Sequence, residues 1–150
     1  GEVVLVKVFP FEEGGTDRSV PAFERQARRV AELTHPALAP LVDFGTLKAA
    51  WGEPLCYVVE HCAPGPTLGD VVEARLPATQ AAPLVRPLVD GCIYLRAHGH
   101  WVDVPAHEVF IQAPRQIKWG VFGLQPLPAD RIPSALADVH RLYPELNTAA

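Results

Sequence analysis

Apolar and polar positions along the chain fall into blocks whose period changes several times. Val3–Phe9 (V-V-L-V-K-V-F) is dense in β-branched residues and holds a single Lys7, which predicts a strand. Pro10–Arg18, with Gly14-Gly15 inside it, reads as a loop. Phe23, Ala27, Val30 and Ala31 then recur at helical spacing, with Ser19 as N-cap and Pro21 in the first turn. That helix is expected to end before His35-Pro36, because a proline disfavours helical torsions in the residue preceding it. Leu41–Phe44 and Leu55–Glu60 predict two more strands around a polar loop, and Thr67 with Asp70 matches a capping box opening a short helix. Ala78–His98 is the longest helical candidate, its apolar surface supplied by Leu84, Leu88, Ile93 and Leu95. Pro83 and Pro87 interrupt it, so the regular helix is expected to begin near them rather than run through. Val109–Ile111 and Ile117–Val121 flank Pro114-Arg115-Gln116, a hairpin pattern. Gln125–Pro133 is short and proline-rich, and Ala137–Tyr143 predicts a last helix.

Composition narrows the classes. A chain of 150 residues is long enough for one domain with a core. Charged residues make up 20% and the net charge is −4, which leaves no electrostatic footprint for nucleic acid or an anionic membrane surface. No run reaches the roughly 18 apolar residues of a membrane span, and no signal peptide is recognisable. Cys56, Cys62 and Cys92 are odd in number and lack metal-ligand spacing, so a reducing, cytoplasmic setting is expected. Gly1 running straight into a strand suggests a piece of a longer protein.

Residues 100–124 carry the candidate chemistry. They read H-W-V-D-V-P-A-H-E-V-F-I, then a polar bend, then I-K-W-G-V-F-G-L. This stretch resembles the catalytic loop and metal-binding hairpin of protein kinases, H-R-D with an Asn five residues on, then D-F-G. Asp103 matches the catalytic Asp, with Trp101-Val102 in place of His-Arg. Glu108 falls at the Asn, and Val121-Phe122-Gly123 falls at D-F-G with Val121 in place of the metal-binding Asp. Trp101 and Phe122 are expected to stack in the core.

The remaining motifs follow in the family's order. Lys7 resembles the strand lysine of V-A-x-K, with Leu5 where the family has a small residue against adenine. F-E-R-Q-A-R-R-V-A-E-L-T-H-P resembles the kinase C-helix, with Gln26 at the Glu that pairs with that lysine. C-Y-V-V-E-H-C-A-P-G-P-T-L-G-D resembles a kinase hinge region, with Val59 as the bulky gatekeeper and Glu60 to Cys62 as the interlobe hinge. Phe110 falls at the Leu beneath adenine, and Asp138 falls at the Asp of a helix that ties the second lobe together. No G-x-G-x-x-G occurs in the chain.

The resemblance implies an α+β, protein-kinase-like fold, with a small N-lobe antiparallel sheet, a C-helix and a truncated helical C-lobe. It divides the single domain 1–150 into an N-lobe-like part at 1–62, a hinge near 60–66 and a C-lobe-like part at 67–150. Phosphoryl transfer relies on Mg²⁺ held by hard oxygens, and Val121 offers none. The substitutions at Gln26, Glu108 and Val121 therefore imply a pseudokinase: no enzyme, no bound cofactor and no metal. Its role would be a protein-interaction or regulatory module within a larger protein, its partner another protein or another domain of the same one. The alternative is a degenerate phosphotransferase or nucleotide sensor that retains weak ATP binding through Lys7, Asp103 and Glu108. Arg25, Arg28 and Arg29 read as a solvated helix face that can dock an acidic or phosphorylated partner. His98, His100 and His107 are close in sequence but read as loop histidines rather than metal ligands.

Overall fold

Strand alternation sets the first half of the fold. The structure, a computed structural model, describes residues 3–10, 20–48, 50 and 54–150, so Gly14-Gly15 and the expected N-cap Ser19 lie outside the described residues. Strand β1 (Leu5–Pro10) pairs antiparallel with β3 (Pro54–Glu60), and β2 (Leu41–Lys48) pairs with the other edge of β3. The order is β1-β3-β2. β2 extends beyond the expected Phe44 because its ladder continues to Lys48 opposite Pro54, so backbone pairing carries polar residues that the apolar pattern left out. On β1, Val4, Val6 and Val8 are exposed, whereas Leu5, Lys7 and Phe9 are half-buried. On β3, Cys56, Val58 and Glu60 are buried.

Helix α1 (Val20–Ala31) buries Ala27 and Val30 and leaves Arg25, Gln26, Arg28 and Arg29 in solvent. Phe23 meets Phe44 of β2 edge-on, with ring centroids 6.4 Å apart. The chain leaves α1 through Leu33 and His35-Pro36 as expected. It is then stitched to the second hairpin, where Ala39 N–H donates to Trp119 O (2.8 Å) and Trp119 N–H donates to Ala37 O (3.1 Å).

Helix α2 (Leu68–Glu73) opens on the expected capping box. Thr67 Oγ1 accepts from Asp70 N–H (3.2 Å), and Asp70 Oδ2 accepts from Thr67 N–H (2.8 Å). Helix α3 (Ala78–Ala97) corrects the expectation of a late start, for it runs through both Pro83 and Pro87. An interior proline costs about 3 kcal/mol, but this helix buries Leu84, Val85, Leu88, Val89, Cys92 and Leu95. Each large apolar side chain contributes roughly 1.5–3 kcal/mol on burial, which outweighs two prolines.

The second hairpin, β4 (Phe110–Ala113) and β5 (Gln116–Lys118), turns at Pro114-Arg115. It is shorter than its apolar run, because Trp119 leaves the ladder to bridge Leu38. Helix α4 is Ser134–Leu142. Leu68, Leu88, Leu95, Ile117, Trp119 and Leu136 are fully buried in a core shared by all these helices and the hairpin. The fold is α+β, a small antiparallel sheet followed by helices. Among the described residues no helix is long and apolar enough to cross a membrane.

Candidate functional site

Lys7 lies on the inward side of β1, because Leu5, Lys7 and Phe9 share one face of the strand. Its Nζ is 2.9 Å from Glu60 Oε1, and the two side chains are 32% and 2% exposed. Glu60 reaches it from β3, where alternation places Cys56, Val58 and Glu60 on the inward side. Val59, expected to close the inner end of the pocket, lies on the opposite face opposite the exposed Val6.

Glu60 also constrains Gly120, which follows the second hairpin. A Cβ at Gly120 would lie 1.4 Å from Glu60 Oε2, so only glycine leaves room for this carboxylate. Cys62 joins the same cluster. Burial, then the charge of Glu60, pushes its thiol above the ordinary value, while Lys118 and Lys7 oppose the rise. Gln112 of β4 lays its amide against the next peptide. Its Nε2 donates to Ala63 O (2.9 Å), and Ala63 N–H donates to its Oε1 (3.3 Å). Sequence reading missed Glu60 as a counter-ion, as well as Gly120, Gln112 and Lys118. Strict alternation along Cys56–Glu60 was the available signal for Glu60. Nothing in the sequence linked Gln112 to Ala63, 49 positions away.

Asp103 does not stand free. Its Oδ1 accepts from Ser134 N–H (2.7 Å) and its Oδ2 from Ser134 Oγ (3.0 Å), which caps a helix whose own Pro133 has no side chain to do so. Glu108 is exposed at the end of a single 3-10 turn, and among the described residues its carboxylate has no partner. Val121 is buried and offers no oxygen. Leu5 and Phe110 are both half-buried, and Phe110 forms an antiparallel bridge with Thr67.

The expected stack of Trp101 on Phe122 is replaced by two separate arrangements. Phe122 meets Phe9 and Phe23, each at 5.3 Å between centroids. Trp101 lies beneath the Arg96 guanidinium (4.7 Å), and its Nε1–H reaches Pro128 O and Arg131 O. That indole therefore pins the proline-rich segment instead. Asp138 pairs with Arg141 at 3.0 Å on the surface, so the loop is tied to α4 by Asp103 and by Ala135 N–H donating to Val104 O (2.9 Å).

Of the three histidines, His107 bonds Glu73 (2.9 Å) and approaches Thr67 Oγ1 (3.5 Å), while His98 bonds Tyr94 O (2.8 Å). His100 lines a surface hollow with Arg29 and Glu32. Among the described residues no group of three His, Cys, Asp or Glu side chains is arranged to hold a metal. Val121, which the sequence resemblance matched to a magnesium-binding Asp, is buried and has no oxygen to offer a metal.

Comparison with known proteins places these features in context. No protein-family model matches the chain. Over 112 residues, 72% of the chain, it is 31% identical to the serine/threonine-protein kinase PknB of Mycobacterium tuberculosis. It is 30% identical to PknB of Mycolicibacterium smegmatis over the same length, and 30% identical over 100 residues to the serine/threonine-protein kinase pkn2 of Myxococcus xanthus. The chain is related to bacterial serine/threonine kinases. It spans 18% of the length of either PknB and 11% of pkn2.

These relatives overturn the expectation that the chain is no enzyme, because each is named as a protein kinase. That expectation rested on Val121, Glu108, Gln26 and the missing glycine-rich loop, and of these the structure weakens the argument from Gln26 as the loss of the lysine's counter-ion. Glu60 supplies that charge from another element.

Proposed function

We propose that this chain is a kinase-like domain of a larger protein that binds a nucleoside triphosphate. On this reading a sheet-bearing part (1–62) and a helical part (67–150) meet at a hinge near residues 60–66, and the nucleotide lies between them. The observation that supports it is Lys7, turned inward and held 2.9 Å from buried Glu60. A lysine on a solvated strand face would have neither the burial nor the partner.

The chemistry follows from that placement. Lys7 supplies a compact positive charge for the phosphates. Leu5 and Phe110 supply apolar surface on either side of the base. Glu108, exposed and without a partner among the described residues, is the free carboxylate closest in sequence to the loop. Asp103 acts by holding the loop onto α4. The role is phosphotransfer or nucleotide-dependent regulation within the parent protein, in a reducing, cytoplasmic setting consistent with three free, buried cysteines.

The test is the melting temperature of the chain with and without ATP and magnesium. At about 100 times the dissociation constant, binding adds about 2.7 kcal/mol of stability, a rise of several degrees. A flat response, together with no displacement of a fluorescent ATP analogue, would overturn the reading.

One further surface favours a macromolecular partner. Arg25, Arg28 and Arg29 project from one stretch of α1, and among the described residues none has an ion-pair partner. An acidic or phosphorylated segment of another protein, or of another domain of the parent protein, is the matching ligand. Replacing all three by Gln should abolish that docking and leave the ATP-induced melting shift unchanged.

A further inference from the structure

Three observations converge on Glu60. Its side chain is 2% exposed yet carries a carboxylate, and buried carboxylates persist where a partner holds them. That partner, Lys7, is 32% exposed, so one side of the ammonium faces Glu60 and another is open. The carboxylate also occupies the space that any side chain at position 120 would need, with Oε2 1.4 Å and Cδ 2.3 Å from the site of a Cβ on Gly120. Meanwhile Gln26, on the helix that would otherwise supply the counter-ion, is exposed and uncharged.

We propose that Glu60 is the positioning residue for Lys7, that Gly120 is its seat, and that this pair replaces a strand-to-helix ion pair with one inside the sheet. The inference rests on the reading that Lys7 meets the nucleotide. Its consequence is mechanical. Lys7 and Glu60 sit on adjacent, hydrogen-bonded strands, where Leu5 is the register partner of Glu60. The ammonium is therefore aimed by the sheet itself, and displacement of α1 leaves it in place.

A mutant cycle on the full chain separates this inference from the reading beneath it. ATP affinity is measured by titration calorimetry for the wild type, Lys7→Met, Glu60→Gln and the double variant, with the melting temperature of each taken in parallel. The expected result is about a tenfold loss for either single variant, as for one partner of a charge pair removed. The double variant should bind no more weakly than Lys7→Met alone. Glu60→Asp, which keeps the charge, should recover part of the loss, and Gln26→Glu added to Glu60→Gln should recover none.

If Lys7→Met weakens binding while Glu60→Gln binds as well as or better than the wild type, the inference fails and the nucleotide reading stands. Equal losses from Glu60→Gln in both backgrounds would also sink it, since that is the mark of a merely structural residue. If Lys7→Met binds like the wild type, both readings fall. Should Glu60→Gln not fold, the comparison of Glu60→Asp with Lys7→Met in the same cycle gives the same decision.

Discussion

Asp103 commits both carboxylate oxygens to Ser134, and that single residue shows how a catalytic-looking position can be structural. An anionic acceptor at a helix N-terminus contributes roughly 0.5–2 kcal/mol, through the capping bond and the helix dipole together. Asp103→Ala should therefore lower unfolding free energy by about 1–2 kcal/mol in urea titration, with Asp103→Asn losing less. No change would show that Ser134 is not capped from this loop. His35 supplies a pH dependence. Partial burial lowers its pKa, against the opposing charge of Asp90. The neutral ring accepts from Ala37 N–H through Nδ1 (3.1 Å) and lies against Tyr94, whose other neighbour is His98. Because the folded value is the lower one, this stabilisation is complete above the unfolded value of 6.5 and is lost as pH falls below it. The melting temperature of the wild type should fall more between about pH 8 and about pH 5.5 than that of His35→Gln. Parallel curves would refute the assignment. The residue types that attract notice in the sequence, Lys7 and Asp103, both proved to have partners. Ser134 was illegible because its contact joins positions far apart in the chain, whereas alternation along Cys56–Glu60 hinted at the inward side of Glu60 without naming Lys7 as its partner.

Elements were more legible than contacts, and the one large error is instructive. The strands, the capping box at Thr67 and the turn at Pro114-Arg115 follow from local chemistry, and the structure contains them. Helix α3 was misread because proline rules describe an isolated helix, whereas this one is held by the buried face running from Ala81 to Leu95. Pro87 leaves the carbonyl of Pro83 without its helical donor, and neither proline is fully buried. Pro87→Ala restores that bond, at the cost of a more flexible unfolded chain worth about 0.4–1 kcal/mol. The expected net effect is a gain of about 1–2 kcal/mol in unfolding free energy. A loss would mean that the helix needs the bend proline imposes in order to bury Leu84 and Leu88 together.

At the scale of the molecule, one aromatic cluster ties the sheet to the helices. Phe122 is 6% exposed and contacts Phe9 of β1 and Phe23 of α1, each at 5.3 Å between centroids. Gly123 beside it has φ +86°, and a Cβ there would come 3.1 Å from the Phe9 ring, so the turn and the cluster are one unit. The Phe-Gly pair was legible as a motif and Phe122 was expected to stack in the core, but its partners were misjudged, since Phe9 and Phe23 lie on elements far from it in the chain and Trp101 turns elsewhere. Phe122→Ala should cost about 3–5 kcal/mol, a large share of the 5–15 kcal/mol that typically holds a domain. Two probes placed apart decide whether that loss is global. Trp119 is fully buried beside α3, where its ring fills the space above Gly91. Cys92 is buried nearby, its thiol pushed up to about 12 by burial, so labelling at neutral pH reports opening of the core. If Phe122 couples the whole molecule, Trp119 fluorescence and Cys92 labelling should both move to lower urea in Phe122→Ala, by the same amount. A sheet that merely rests on the helical part would let Phe122→Ala melt β1–β3 by circular dichroism while both core probes kept their wild-type midpoints. That outcome would end the description of a single cooperative domain, and with it the basis for a cleft whose two sides move as one.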